Sequence, residues 1–509
     1  MINLDMFWGS EAAKEIQLLQ LIYKNRQFMK VEELSVLLGM DRRSIYKYFN
    51  LLQKYPSVEN KASNDLLIYS RGQGYKFTGT KKDFKIMYQQ IIQANPFYKF
   101  LESLLWTNKV TISTFAYENF ISESIVQKRF YDLNLLLQNV GLSIKKKGDS
   151  VQLHGDEAKI RFFSVAFFWK TYHGSYWPFP TISQEQCETI AANIFSKNRI
   201  SYNDIGLKLT SYIFAVNILR VRNGCSITQR KINAINHSSS FDHGLLSIIS
   251  GMESTLNASI VEELRLNYHL EAPEIEFLLL WFYSNSNFYF LNNEIVDYLN
   301  IHNGDHNHLL QYLHYLDEIL AEKDSRYDKE AIPADKKQLL LSTLLAGHLS
   351  VELFGNTSFT VTGYEIEAYI KKKVPKLLDR AIKVVTQSKI YTNDPDRLEG
   401  LALQFTIAVM LIESPSNFAH KIRIKVETDL PKVLELFIAN RINDVFKNFY
   451  NLEISSKLSY QDADFCISTN YLSETDNSID TLLIDAQVTA LDIVTIHNKI
   501  TQIVDMKES

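Results

Sequence analysis

The sequence predicts a mainly α multidomain protein, with two winged helix-turn-helix domains first, helical bundles next and a small α/β domain last. Three observations carry this. A helix–corner–helix pattern at 31–54 returns 81 residues later, a glycine-poor helical stretch follows, and a β-α-β-β-β-α pattern closes the chain. At 509 residues the chain is too long for one core, so several domains are required. Hydrophobic residues make up 46% and charged residues 22%, the balance of a folded globular protein.

The first unit opens with Ser10, read as an N-cap, and Glu11 in the first turn. Ala12, Ile16, Leu19 and Ile22 then recur at helical spacing. In VEELSVLLGMDRRSIYKYFNLLQK, Val31, Leu34, Leu37 and Leu38 form the expected inner stripe of a short helix, and Ser35 permits close approach. Gly39 takes the corner, where a left-handed backbone is cheapest without a side chain. Asp41 caps the next helix, whose inner face is Ile45, Tyr48, Phe49 and Leu52. The other face carries Arg42, Arg43, Tyr46, Lys47 and Asn50, a set of donors suited to guanine edges and phosphates. Downstream, LLIYSRGQGYKFTG reads as two strands around an Arg-Gly-Gln-Gly turn, a wing bearing Arg71 and Lys76. A helical hairpin with a solvated charged face satisfies the same pattern, so this segment alone leaves both readings open.

The repeat shifts the balance. Val31, Leu34, Ser35, Ile45, Phe49 and Leu52 fall on Ile112, Phe115, Ala116, Val126, Phe130 and Leu133. Ser122 caps the second recognition helix, which presents Ser124, Gln127, Lys128 and Tyr131, with Arg129 beside them. GLSIKKKGDSVQLHG follows as another hairpin with a basic rim. A duplicated supersecondary unit is hard to ascribe to chance amphipathicity, and tandem winged helices favour double-stranded DNA as the partner. The charge distribution agrees. Residues 1–160 hold 22 Lys and Arg against 16 Asp and Glu, whereas the rest holds 32 against 42.

From about 172 to 412 the chain is aromatic-rich and helix-patterned, and it reads as two similar bundles. The first contains 207–227 and 272–285, the second 338–357 and 394–412. The last hundred residues alternate strands (421–430, 452–459, 463–469, 481–486) with amphipathic helices at 431–450 and 491–506, a small α/β sandwich.

Other chemistry is set aside on residue grounds. No apolar run reaches the roughly 18 residues of a membrane span, and the N-terminus lacks a secretory pattern, so a soluble cytoplasmic protein is expected. Cys187, Cys225 and Cys466 are too scattered for a disulfide framework or zinc site. The cluster His302, Asp305, His306 and His308 fits no tight metal motif. Without a phosphate-binding loop, nucleophile elbow or HExxH, no catalytic residue, metal or cofactor is expected.

The run SESIVQKRFYDLNLLLQNVGLSIKKKGDSVQLHGDEAKIRFFSVAFFW (122–169) resembles the helix-turn-helix region of the Mga/AtxA-type regulators, virulence-related transcription factors of Gram-positive bacteria. LHGDEAKIRFF (153–163) resembles that domain's exit most strongly. The resemblance implies the order 1–80 and 81–170 winged helix-turn-helix, 171–288 and 289–414 phosphotransferase-system (PTS) regulation domains, and 415–509 an enzyme IIB-like domain. It implies a dimeric, DNA-binding activator, with a PTS phosphocarrier as a second partner. In that frame the family's histidines fall near Tyr212, at Trp281 and at Gln404, and His348 alone keeps a histidine as phosphorylation candidate. The IIB-like loop Glu427-Thr428-Asp429-Leu430 lacks the phosphorylated cysteine, which argues against an enzyme. The resemblance gives that domain a role in dimer formation, to which Ile493, Val494, Ile496 and Ile500 are expected to contribute. Two rivals stand beside this reading: an RNA-binding antiterminator with the same regulation domains, and a phosphotransfer protein.

Overall fold

Helix formation at the N-terminus follows the capping chemistry closely, with one displacement. The computed structural model describes residues 4–55, 66–197, 200–236, 258–286, 314–315, 334–389, 391, 393–412, 414–470 and 479–508. Helix α1 (Ser10–Asn25) is capped by Gly9 at φ 88°, so Ser10 is its first helical residue and not its cap. Helices α2 (Val31–Leu38) and α3 (Arg42–Leu52) meet at Gly39, whose φ of 61° is the left-handed value expected there. Ser35 Oγ donates to the Met40 carbonyl across this corner, and Asp41 Oδ1 accepts from the Ser44 amide at 2.8 Å to start α3.

Strands β1 (Leu67–Ser70) and β2 (Gly74–Phe77) form the antiparallel wing, with Ser70 opposite Gly74. Met29 pairs with Tyr75 through two 2.8 Å backbone bonds and joins the hairpin. A Cβ at Gly74 would lie 1.9 Å from the Met29 carbonyl oxygen, so this close approach requires glycine.

The second unit repeats the plan through α4 (Lys81–Gln93), α5 (Pro96–Thr107), β3 (Lys109–Thr111), α6 (Ile112–Glu118) and α7 (Glu123–Gln138). Its wing is β4 (Ser143–Lys147) and β5 (Ser150–His154), in a three-stranded antiparallel sheet of order β3-β5-β4. All six residues matched by the repeat are buried in this copy: Ile112, Phe115, Ala116, Val126, Phe130 and Leu133.

Helix α8 (Glu157–Tyr172), buried on nearly every side, leads to α9 (Gln184–Lys197), α10 (Asp204–Arg222), α11 (Gln229–Asn236), α12 (Ala258–Tyr268) and α13 (Ala272–Tyr283). Then come α14 (Ala334–Phe354), α15 (Ile366–Lys373), α16 (Pro375–Ser388) and α17 (Pro395–Ile412). No described helix is long and apolar enough to cross a membrane. The chain divides into two compact units. One comprises Met1–Leu309, Leu345–Ala368 and Asn393–Gly400, the other Leu310–Leu344, Tyr369–Thr392 and Leu401–Ser509.

The C-terminal module has β6 (Lys421–Glu427), α18 (Lys432–Phe446), β7 (Asn451–Ser455), β8 (Phe465–Ser468), β9 (Thr481–Leu483) and α19 (Ala490–Glu508). Its sheet is wholly parallel, in the order β7-β6-β8-β9. Ile422, Ile424, Phe465 and Ile467 from the strands pack with Ile438, Ile442, Phe446, Ile496 and Ile500 from the helices. Ile496 and Ile500 are therefore core residues, and of the four apolar positions expected to face a partner only Val494 is exposed. The correction is geometric: α19 turns its isoleucine stripe onto the sheet.

Candidate nucleic-acid interface

Packing fixes the orientation of both recognition helices. In α3, Ile45, Tyr48, Phe49 and Leu52 face the core, which leaves Arg42, Arg43, Tyr46, Lys47 and Asn50 all exposed on the other side. Phe49 packs against Tyr75 of the wing with ring centroids 3.7 Å apart and planes tilted by 33°, which ties the hairpin to α3. Arg42 lies 3.4 Å from Glu32 and Lys47 lies 2.5 Å from Glu11, both at the surface. Such exposed pairs are weak and exchange readily for a phosphate. Arg71 stands exposed at the wing turn, and Lys76 is half-buried with its ammonium 5.5 Å above the Phe28 ring.

One residue of the expected inner stripe is corrected. Leu37 is 62% exposed on α2, because Val31 and Leu34 already fill the helix–helix contact of so short a helix.

In the second unit, Ser122 Oγ accepts from the Ile125 amide and starts α7. Ser124 and Lys128 are exposed, while Gln127 and Arg129 are half-buried. Arg129 is held by Asp132 at 3.9 Å and by the Phe97 ring at 5.8 Å, so it is less available than Lys128. The Asn134 side chain accepts from the Ile144 amide at 2.6 Å and ties α7 to its wing. Three successive exposed lysines, Lys145, Lys146 and Lys147, run along β4. The sequence reads them as a basic rim and not as individual contacts; three like charges in an edge strand are the signal for them.

The structure places the histidine candidate elsewhere. His348 lies in α14, fully buried, with Nε2 3.7 Å from Glu352 Oε1. Arg397 Nη1 lies 3.5 Å from the other oxygen of the same carboxylate. Tyr212 and Trp281 are buried and Gln404 is half-buried. Cys466 sits inside β8, where burial pushes its thiol up to about 12. The cluster around His302 and His308 lies outside the described residues. Among the described residues no group of three or more potential ligands could hold a metal ion.

Comparison with protein families places its match on the second unit. Residues 80–168 match the Mga helix-turn-helix domain, which spans α4 through most of α8. The chain is also 20% identical over 259 residues to a protein of Streptococcus pneumoniae serotype 4 described as "Putative trans-acting regulator". That alignment covers 50% of this chain and 51% of the relative, so about half the relative's length is matched. The resemblance to Mga-type regulators, read from residues 122–169, is thus borne out by a domain match over the unit that holds α7 and its wing.

Proposed function

We propose that this protein is a DNA-binding transcription regulator of the Mga type. The observation that carries the reading is two winged units in tandem, with Arg42, Arg43, Lys47, Ser124 and Lys128 exposed on their second helices, Arg71 exposed on the first wing and Lys145–Lys147 on the second. The two faces would enter successive major grooves while Arg71 and Lys145–Lys147 contact flanking phosphates. The described trunk helices fit a tandem of PTS regulation domains, and the parallel sheet fits an enzyme IIB-like module. Nothing in this reading calls for catalysis, and the buried Cys466 is poorly suited to accept a phosphoryl group. Phosphorylation at His348 would require α14 to open, because the imidazole is fully buried.

The test is fluorescence anisotropy with promoter-length duplex DNA across a salt series. Each lost phosphate contact should reduce the slope of log affinity against log salt by about 0.9. Replacing Arg42, Arg43, Lys128 and Arg129 together by alanine should weaken binding and flatten that slope. Unchanged binding in that variant rejects the interface. Hairpin RNA in place of the duplex separates the antiterminator reading, and labelled phosphoenolpyruvate with the phosphocarriers separates phosphotransfer. Comparison of transcription with and without the protein distinguishes activation from repression.

A further inference from the structure

The junction between α15 and α16 reads KKKVPK, and its lysines do not fan out into solvent in all directions. Lys371, Lys372, Lys373 and Lys376 line one cleft of about 330 Å³ together with His420 and Lys507. Pro375 and the buried Phe418 supply its apolar part. None of the described residues lining it is acidic.

Helix capping accounts for only some of this charge. Lys371, Lys372 and Lys373 occupy the last turn of α15, where cations are favoured by the carbonyl end of the helix. Lys376 occupies the first turn of α16, where the helix field opposes a cation. Lys507 arrives from the last turn of α19 and His420 from the residue before β6. Lys507 Nζ is matched by Asp464 Oδ1 at 2.7 Å. Lys372, Lys373 and Lys376 have no carboxylate partner among the described residues. Concentrating unpaired like charge in one concavity is costly in a chain of net charge −4, unless a ligand neutralises it.

The volume suits a small molecule, near the lower end of about 300–1,000 Å³ for ligand pockets. Ammonium groups act as point charges toward phosphate, without the forked geometry that arginine offers carboxylates. We propose that this cleft binds a small anion carrying two or more phosphoryl groups, held by Lys372, Lys373 and Lys376. The lining residues belong to the compact unit that does not include the winged helices, and the inference does not depend on DNA binding.

The experiment is titration calorimetry of the full chain with inorganic tripolyphosphate at about 150 mM salt, where charges farther apart than about 8 Å are largely screened. Sulfate at matched ionic strength is the control. Saturable binding of one tripolyphosphate per chain is expected, with at least tenfold weaker binding in the Lys372→Gln, Lys373→Gln, Lys376→Gln variant. The wing variant Lys145→Gln, Lys146→Gln, Lys147→Gln should bind it within twofold of the parent. Absence of saturable binding, or equal loss in both variants, overturns the proposal. The three lysines are exposed, so folding should persist and is checked by thermal melting. If the triple variant misfolds, Lys376→Gln alone decides: threefold weaker binding upholds the site, and unchanged binding overturns it. Competition by a sugar bisphosphate and by a nucleoside triphosphate then distinguishes the two sources of such phosphoryl groups. DNA affinity of the Lys372, Lys373 and Lys376 variant should stay at the parental value, which keeps failure here distinct from failure of the DNA reading.

Discussion

Arg161 of α8 and Glu274 of α13, 113 residues apart, meet as a bidentate ion pair with Nη1–Oε2 at 2.5 Å and Nη2–Oε1 at 3.0 Å. Both side chains are shut off from solvent. Around them, Arg161 Nε and Arg220 Nε donate to the same Glu157 oxygen at 3.0 and 2.9 Å, and Arg220 also reaches Asn108 at 3.1 Å. Asn108 and Glu157 flank the wing of the second unit, whereas Arg220 and Glu274 sit on helices beyond it. The network therefore fastens the Mga-matched domain to the helices that follow.

Removing one partner of a buried pair leaves a charge without compensation, at a cost of about 3–5 kcal/mol. Glu274→Gln is accordingly expected to lower stability by about that amount in urea denaturation. Arg161→Met with Glu274→Leu should cost less than the two single changes summed, since neither charge is then stranded. A fully additive double variant would mean that the pair is not energetically coupled.

The repeat also marks a strained corner. The shift of 81 residues places Phe120 on Gly39, and both take left-handed backbones, at φ 54° and 61°. A side chain makes that conformation unfavourable by roughly 1–2 kcal/mol. Phe120 gains little in return from burial, being 96% exposed. Phe120→Asn should therefore raise stability by about 1 kcal/mol, measured as a higher urea midpoint at an unchanged slope. If stability falls, the ring makes contacts that outweigh the strain.

The sequence disclosed what depends on local spacing. Asp41 and Ser122 act as caps, Gly39 turns the corner, and the apolar residues paired by the repeat line both helix–helix contacts. Leu37 is exposed against expectation because periodicity specifies a face, not how much of that face a neighbour covers. The isoleucines of α19 show the same limit: the stripe is legible in the sequence, but whether sheet or partner covers it depends on the α/β packing. Arg161 with Glu274 had no local signature, since 113 residues separate them and each is an ordinary charged residue in its own helix.

A buried acid gives the second unit a pH signature. Burial pushes the Glu102 carboxyl up to about 7, against the bonds from Tyr98 and Tyr172 that lower it, at 2.8 and 3.1 Å. Between its ordinary value of 4.5 and about 7, the native carboxyl keeps a proton that the unfolded one has released. Stability must then fall as pH rises through that window, by roughly 3 kcal/mol in all. Glu102→Gln should remove this slope from urea midpoints measured between pH 5 and 7.5. Some slope should remain from Glu15, which burial also pushes up to about 7. A profile unaltered by Glu102→Gln would place the carboxyl in its ordinary range.

If two copies associate through the C-terminal module, α18 offers a better surface than α19. Helix α18 packs Ile438, Ile442 and Phe446 onto the sheet and leaves Val433, Leu436 and Phe437 exposed, with Phe449 just beyond its end. Apolar side chains on both sides of one helix are unusual for a helix covered on a single side, and such exposed patches mark association surfaces. Val433→Asp with Phe437→Asp would place two carboxylates in a dry contact, where unpaired charge is expensive. The variant should shift the monomer–dimer equilibrium at least tenfold toward monomer in sedimentation velocity, about 1.4 kcal/mol. Its circular dichroism should match the parent, because neither side chain belongs to the module's core. Weaker DNA binding at low protein concentration should accompany the shift, since two linked copies hold a long site by effective concentration rather than by new contacts. A dimer that survives both aspartates unchanged places the association surface away from α18.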